Sequence, residues 1–130
     1  MGIDLTGDSG EELRFSGIGW AFYLNLAQLY GWHPVGTRAP DGALATGWSG
    51  QYDSSDGQHV GGEDATALAD ALARALADPK REETEKVLAV KLSKDLGTTT
   101  GRPVSVEPPD DDTLLREFLG FCRKGGFRID

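Results

Sequence analysis

Ile3 and Leu5, then Leu13 and Phe15, alternate with polar neighbours on either side of Thr6-Gly7-Asp8-Ser9-Gly10, the pattern of two strands joined by a turn. The period then changes. From Trp20 to Tyr30 the chain is apolar nearly all round, with Phe22, Leu26 and Leu29 at i, i+4 and i+7, which predicts a buried helix ended by Gly31 ahead of Pro34. Residues 35–62 have no period and are rich in Gly, Ser and Asp. Trp48 and Tyr52 interrupt this stretch as a candidate short strand, and their loop setting makes them the aromatic pair expected to be exposed, whereas Trp20 and Tyr23 are expected in the core.

Helical periodicity returns at Glu63-Asp64, whose charges suit the positive end of a helix dipole, with Leu68, Leu72 and Leu76 beside an Ala65, Ala69, Ala73 stripe. Asp78-Pro79 closes that helix. Leu88, Leu92 and Leu96 fit a third helix stopped by Gly97, although Leu88, Val90 and Leu92 also alternate as a strand does; the helix-forming run Glu82 to Lys86 favours the helix. Gly97 to Pro109 reads as a second loop, with Val104 and Val106 as extended positions. Asp110, Asp111 and Asp112 supply a cap and first-turn charges for a last helix bearing Leu115, Phe118, Leu119 and Cys122, and Gly125-Gly126 release the chain into a strand at Phe127-Arg128-Ile129. The expected fold is α+β, with three to four helices packed on a small antiparallel sheet and residues 1–130 forming a single domain.

Composition narrows the function classes. Thirteen Lys and Arg against 21 Asp and Glu give a net charge of -8, a field that repels phosphate backbones, so neither nucleic acid nor an anionic membrane surface is an expected partner. The same charge suits a basic protein partner. Cys122 is the only cysteine, which excludes an intrachain disulfide and is compatible with a reducing compartment. No apolar run reaches the roughly 20 residues of a membrane span, and no signal peptide is visible, so a cytoplasmic location is expected. Met1-Gly2-Ile3-Asp4-Leu5-Thr6 fits the loose myristoylation pattern, a short signal that by itself gives only marginal membrane binding.

The densest polar cluster is Tyr52-Asp53-Ser54-Ser55-Asp56-Gly57-Gln58-His59, followed by Glu63 and Asp64. Aligned as a calcium loop with Gly57 at position six, Ser54, Asp56 and Glu63 fall at positions three, five and twelve, but Tyr52 stands where the first carboxylate is needed, and no metal or other cofactor is expected. Asp56-Gly57 is equally a turn dipeptide, and the following carboxylates serve to cap a helix. His33 and His59 are the only histidines, so a His-based site requires one of them to meet Cys122, Asp53 or Asp56. Cys122 lies on an apolar helix face, the setting of a small buried hydrophobe. Gly97-Thr98-Thr99-Thr100-Gly101-Arg102 resembles a small anion-binding turn without the spacing or lysine of a P-loop.

The segments Leu26-Ala27-Gln28-Leu29-Tyr30-Gly31-Trp32, Asp56-Gly57-Gln58, Asp64 to Leu72 and Phe118 to Phe127 resemble a group of small bacterial proteins of uncharacterised function. The likeness covers about half the chain and leaves out Pro79 to Pro109. It implies a bacterial origin and a small stand-alone protein, and it carries over no catalytic residue.

Two functional expectations follow. The first is a non-enzymatic acidic interaction protein, of the immunity or antitoxin type, binding a basic protein through Trp48, Tyr52, Asp53, Asp56, Gln58 and Glu63. The alternative is a small enzyme or ligand-binding domain using Asp53, Asp56, His59 and Glu63 for acid–base work in a cleft beside the first helix. A structural or self-associating module without a separate site is the third possibility.

Overall fold

The computed structural model describes residues 2–40, 47–99, 102–103 and 105–130. Strands β1 (Gly2–Gly7) and β2 (Glu12–Ser16) form the expected hairpin, with Ile3 opposite Phe15 and Leu5 opposite Leu13. Ser16 then accepts a hydrogen bond from the Gly19 amide at 2.9 Å and caps helix α1 (Gly17–Leu29). The helix thus starts ahead of the apolar run, because the cap fixes the first turn before packing does. At its other end Gly31 takes a φ of 101°, and the Trp32 amide donates back to the Ala27 carbonyl at 3.0 Å. This glycine-dependent turn folds Trp32 onto the core.

After the long loop come β3 (Gln58–Val60), α2 (Gly62–Ala77), α3 (Arg81–Leu96), the two-residue strands β4 (Thr98–Thr99) and β5 (Arg102–Pro103), α4 (Thr113–Arg123) and β6 (Phe127–Ile129). The segment over 81–96 is therefore helix. Its own i to i−4 ladder satisfies the backbone, whereas a strand there has no neighbour to pair with. The anion-turn residues Thr100 and Gly101, like Val104, lie outside the described residues. Val106 is buried, and its amide donates to Ser93 Oγ at 2.8 Å.

The main sheet is antiparallel throughout, in the order β2-β1-β6-β3, so the C-terminal strand sits between the first strand and the strand that follows the loop. Ile3, Leu5, Phe15, Val60, Phe127 and Ile129 face inward. The helices cover that face. Alanines 65, 69, 71 and 75 are buried along α2 and allow α4 to approach closely, while Leu68 and Leu72 bury fully, each worth about 2–3 kcal/mol. Phe15 lies 5.0–5.6 Å, centroid to centroid, from Trp20, Tyr23 and Phe118, which confirms Trp20 and Tyr23 as core. The architecture is α+β: four helices on a small antiparallel sheet. Among the described residues no helix is long and apolar enough to cross a membrane.

Two apolar positions depart from their expected burial. Leu29 is 58% exposed and Leu96 44%. Leu29 lines a groove between α1 and α3 instead of packing into the core, and Leu96 belongs to the last turn of α3, beyond the buried Leu88 and Leu92.

Candidate functional site

The loop between α1 and β3 contains no helix or named strand in its described part, yet its side chains hold it from below. Tyr52 is the central anchor. Its hydroxyl donates to Asp64 Oδ2 and accepts from the Gly36 amide at 2.9 Å, and its carbonyl accepts from Trp20 Nε1 at 2.7 Å. Asp64 also accepts from Trp32 Nε1 at 2.9 Å, and the Trp32 and Tyr52 rings meet edge to face at 5.2 Å. The carboxylate is 4% exposed, so two ring-borne donors replace the water it has lost. It lies in the first turn of α2, where the helix dipole also favours a negative charge.

Gln58 is the second anchor and is fully buried. Its Oε1 accepts from the Asp56 amide at 2.9 Å, while its Nε2 donates to the Ser54 carbonyl at 2.7 Å, to Ser54 Oγ at 3.1 Å and to the Gln51 carbonyl at 3.3 Å. One inward amide thereby fixes residues 51–56. The other limb is tied through Thr37, whose hydroxyl donates to the Gln51 carbonyl at 2.8 Å and whose carbonyl accepts from Trp48 Nε1 at 3.1 Å. The two limbs touch where Gly36 and Gly50 meet, both at positive φ, and a side chain on Gly50 would come within 3.2 Å of the Gly36 Cα. Finally the Gly57 amide donates to the Ile129 carbonyl at 2.7 Å and locks the loop onto β6.

Trp48 and Tyr52 are therefore not a freely exposed pair, nor do they mark a strand; both are half-buried, because Trp48 Nε1 donates to Thr37 within the loop and the Tyr52 hydroxyl donates to Asp64 of α2. Gln58 likewise faces the core. Of the six expected site residues, the three that remain outward are acidic: Asp53, Asp56 and Glu63 are all exposed. His59 points to the opposite face of β3 from Gln58, with Nε2 at 2.9 Å from both carboxylate oxygens of Asp8. It is thus not brought to Asp53, Asp56 or Glu63 in an acid–base set. His33 is exposed, and Cys122 is completely buried in the core. Ser54 Oγ, a position-three ligand in the calcium alignment, is turned inward to Gln58. Among the described residues no three His, Cys, Asp or Glu side chains are grouped to hold a metal ion.

The protonation states follow the burial. Loss of water raises the Tyr52 phenol well above its ordinary value, and the Asp64 carboxylate that it bonds raises it further. The Cys122 thiol is pushed up chiefly by burial, with the nearby Asp64 charge adding to the shift. Both groups stay protonated and unreactive at neutral pH. The node holds the shape of the loop.

In the sequence Asp64 reads only as a dipole charge beside Glu63, whereas in the fold it is the acceptor on which the loop converges. Its signal was positional: it stands four residues before Leu68 and eight before Leu72, on the stripe that faces the core. Comparison with protein-family models, with curated proteins and with solved structures returned no match.

Proposed function

We propose that the protein is a non-enzymatic acidic interaction protein whose loop presents Asp53 and Asp56, with Glu63 at the start of α2, to a basic protein partner, in the manner of an immunity-type or antitoxin-type inhibitor. The observation that carries this reading is the division of labour within the loop. Tyr52, Gln58 and Trp48 turn their polar atoms inward, and the carboxylates are left outward. Residues 51–57, already tied by these bonds, lose little conformational freedom on binding. The net charge of -8 adds steering toward a basic surface and opposes binding to nucleic acid. Trp48 and Tyr52 serve in this reading as supports of the surface more than as inserted anchors. The resemblance to small bacterial proteins and the single buried thiol both suit work in a bacterial cytoplasm. The alternative acid–base reading with Asp53, Asp56, His59 and Glu63 is less supported, because His59 faces Asp8 and not those three carboxylates.

The test is capture of binding proteins from host lysate on the tagged chain, beside the variant Asp53→Asn/Asp56→Asn/Glu63→Gln, at low and moderate salt. One basic protein retained at low salt, released at moderate salt and lost with the variant is the expected result. Equal retention by the variant, or no specific retention by the native chain, contradicts the reading.

A further inference from the structure

Helix α3 leaves a stripe of its surface uncovered on the side away from its buried residues. Glu85, Leu88, Ala89 and Leu92 are buried, while Glu83, Val87, Val90 and Lys94 lie in line on the opposite side and are exposed, Val87 at 71% and Val90 at 57%. Beside them runs a groove of about 630 Å³ between α1 and α3, lined by Leu29, Val87 and Leu88 and edged by Glu83 and Lys91. Two exposed valines one turn apart, flanked by a half-exposed leucine, make an apolar strip that water does not stabilise.

The order of charges on the strip selects its occupant. Val87 and Val90 are equidistant from the midpoint of residues 88 and 89, and Glu83 and Lys94 are equidistant from that same point. A two-fold axis through the midpoint therefore sets the valines of one copy on those of another and places each Glu83 beside the other copy's Lys94. That is the self-complementarity an isologous dimer requires. A parallel arrangement instead sets Glu83 against Glu83 and Lys94 against Lys94, which repel.

We infer that α3 is a self-association surface on which a second copy of this chain docks its own α3 antiparallel, valine on valine, with Glu83 paired to Lys94 at each end. The inference stands apart from the proposed partner of the acidic loop, since it uses none of that loop's residues. A single helix face lies at the small end of interface sizes, so the association is weak and concentration-dependent.

Analytical ultracentrifugation of the full chain, from low micromolar to near-millimolar concentration, is the test. A rise toward twice the 13.9 kDa monomer mass is expected. Val87→Glu/Val90→Glu abolishes the rise; Glu83→Lys and Lys94→Glu each weaken association by about tenfold. The double swap Glu83→Lys/Lys94→Glu restores it. A native chain that stays monomeric throughout overturns the proposal, as does a double swap no tighter than the single ones, or a dimer that survives in a valine variant with native circular dichroism. If the valine variant does not fold, the charge swaps, made at exposed positions, decide alone.

Discussion

Between Gly47 and Gly57 the chain has no regular hydrogen-bond ladder, and Tyr52, Gln58 and Trp48 supply the missing order by reaching inward to backbone groups and to Asp64. Helix α3 is the reverse case: its backbone satisfies itself, and its side chains leave Val87 and Val90 uncovered. The loop looks irregular and is over-determined by side chains. The helix looks regular and is underused by the fold. Secondary structure is thus a poor guide to which surface is finished and which awaits a partner, and the polar bookkeeping of buried groups is a better one.

The largest effect is expected where the loop's order converges. Asp64→Ala leaves the Trp32 N–H and the Tyr52 hydroxyl buried without their acceptor and should lower stability by about 3–5 kcal/mol in urea titrations. Labelling of the fully buried Cys122 thiol should accelerate in parallel, because it needs the core to open. Gln58→Leu keeps the volume but strands the Asp56 amide and the Ser54 carbonyl, the Gln51 carbonyl keeping its bond from Thr37, with an expected loss of about 2–3 kcal/mol. A loss below about 0.5 kcal/mol for either variant would erase the contrast with α3, where exposed substitutions are expected to stay within that margin.

The two regions also separate by pH. Tyr52 has a folded-state pKa raised by burial and by Asp64, so the folded state holds its proton more tightly than the unfolded chain, and stability should fall as pH rises above about 10. Tyr52→Phe should flatten part of that alkaline slope. Tyr23, whose phenol burial pushes up to about 12 with Glu85 adding to the shift, contributes with the same sign, as do the raised Tyr30 phenol and Cys122 thiol. On α3, burial raises Glu85 despite its ion pair with Arg81, 3.0 Å away, so stability should rise as pH falls from its folded pKa toward the ordinary glutamate value. Glu85→Gln should remove that acid-side gain, read from urea midpoints across the range. Asp78, at the turn into α3, has the opposite sign: the Tyr30 hydroxyl that donates to it lowers its pKa, and its contribution is lost as pH falls below the ordinary aspartate value.

The smallest stability effect belongs to the outward carboxylates. Asp53→Asn/Asp56→Asn should shift stability by less than about 0.5 kcal/mol, because neither side chain is buried. A larger loss would mean that the acidic residues build the loop as well as decorate it.

Much of the fold was legible because its elements carry a period. The alternation of Ile3, Leu5, Leu13 and Phe15 yielded the hairpin, and the helical spacing of Leu68 and Leu72, and of Leu115, Phe118 and Cys122, yielded α2 and α4. The place of β6 between β1 and β3 was not legible, since pairing between strands far apart in sequence leaves no local mark. Within the candidate site, the exposure of Asp53, Asp56 and Glu63 follows the general tendency of carboxylates to stay in water. The inward turn of Tyr52 could not, for an aromatic in an aperiodic stretch has no face assigned to it. Asp64 and Gln58 fall between these cases: each shares a stripe with core residues, Asp64 with Leu68 and Gln58 with Val60, and a polar residue on such a stripe signals a buried hydrogen-bonding post.

Amide hydrogen exchange, resolved residue by residue, tests the central claim most directly. If the loop is held by its inward side chains, the amides of Gly36, Thr37, Asp56 and Gly57 exchange as slowly as those of the sheet, and Gln58→Leu releases Asp56 first while Thr37, bonded to the Gly50 carbonyl, stays protected. Exchange of these four amides at the rate of an unstructured peptide in the native chain would contradict the account.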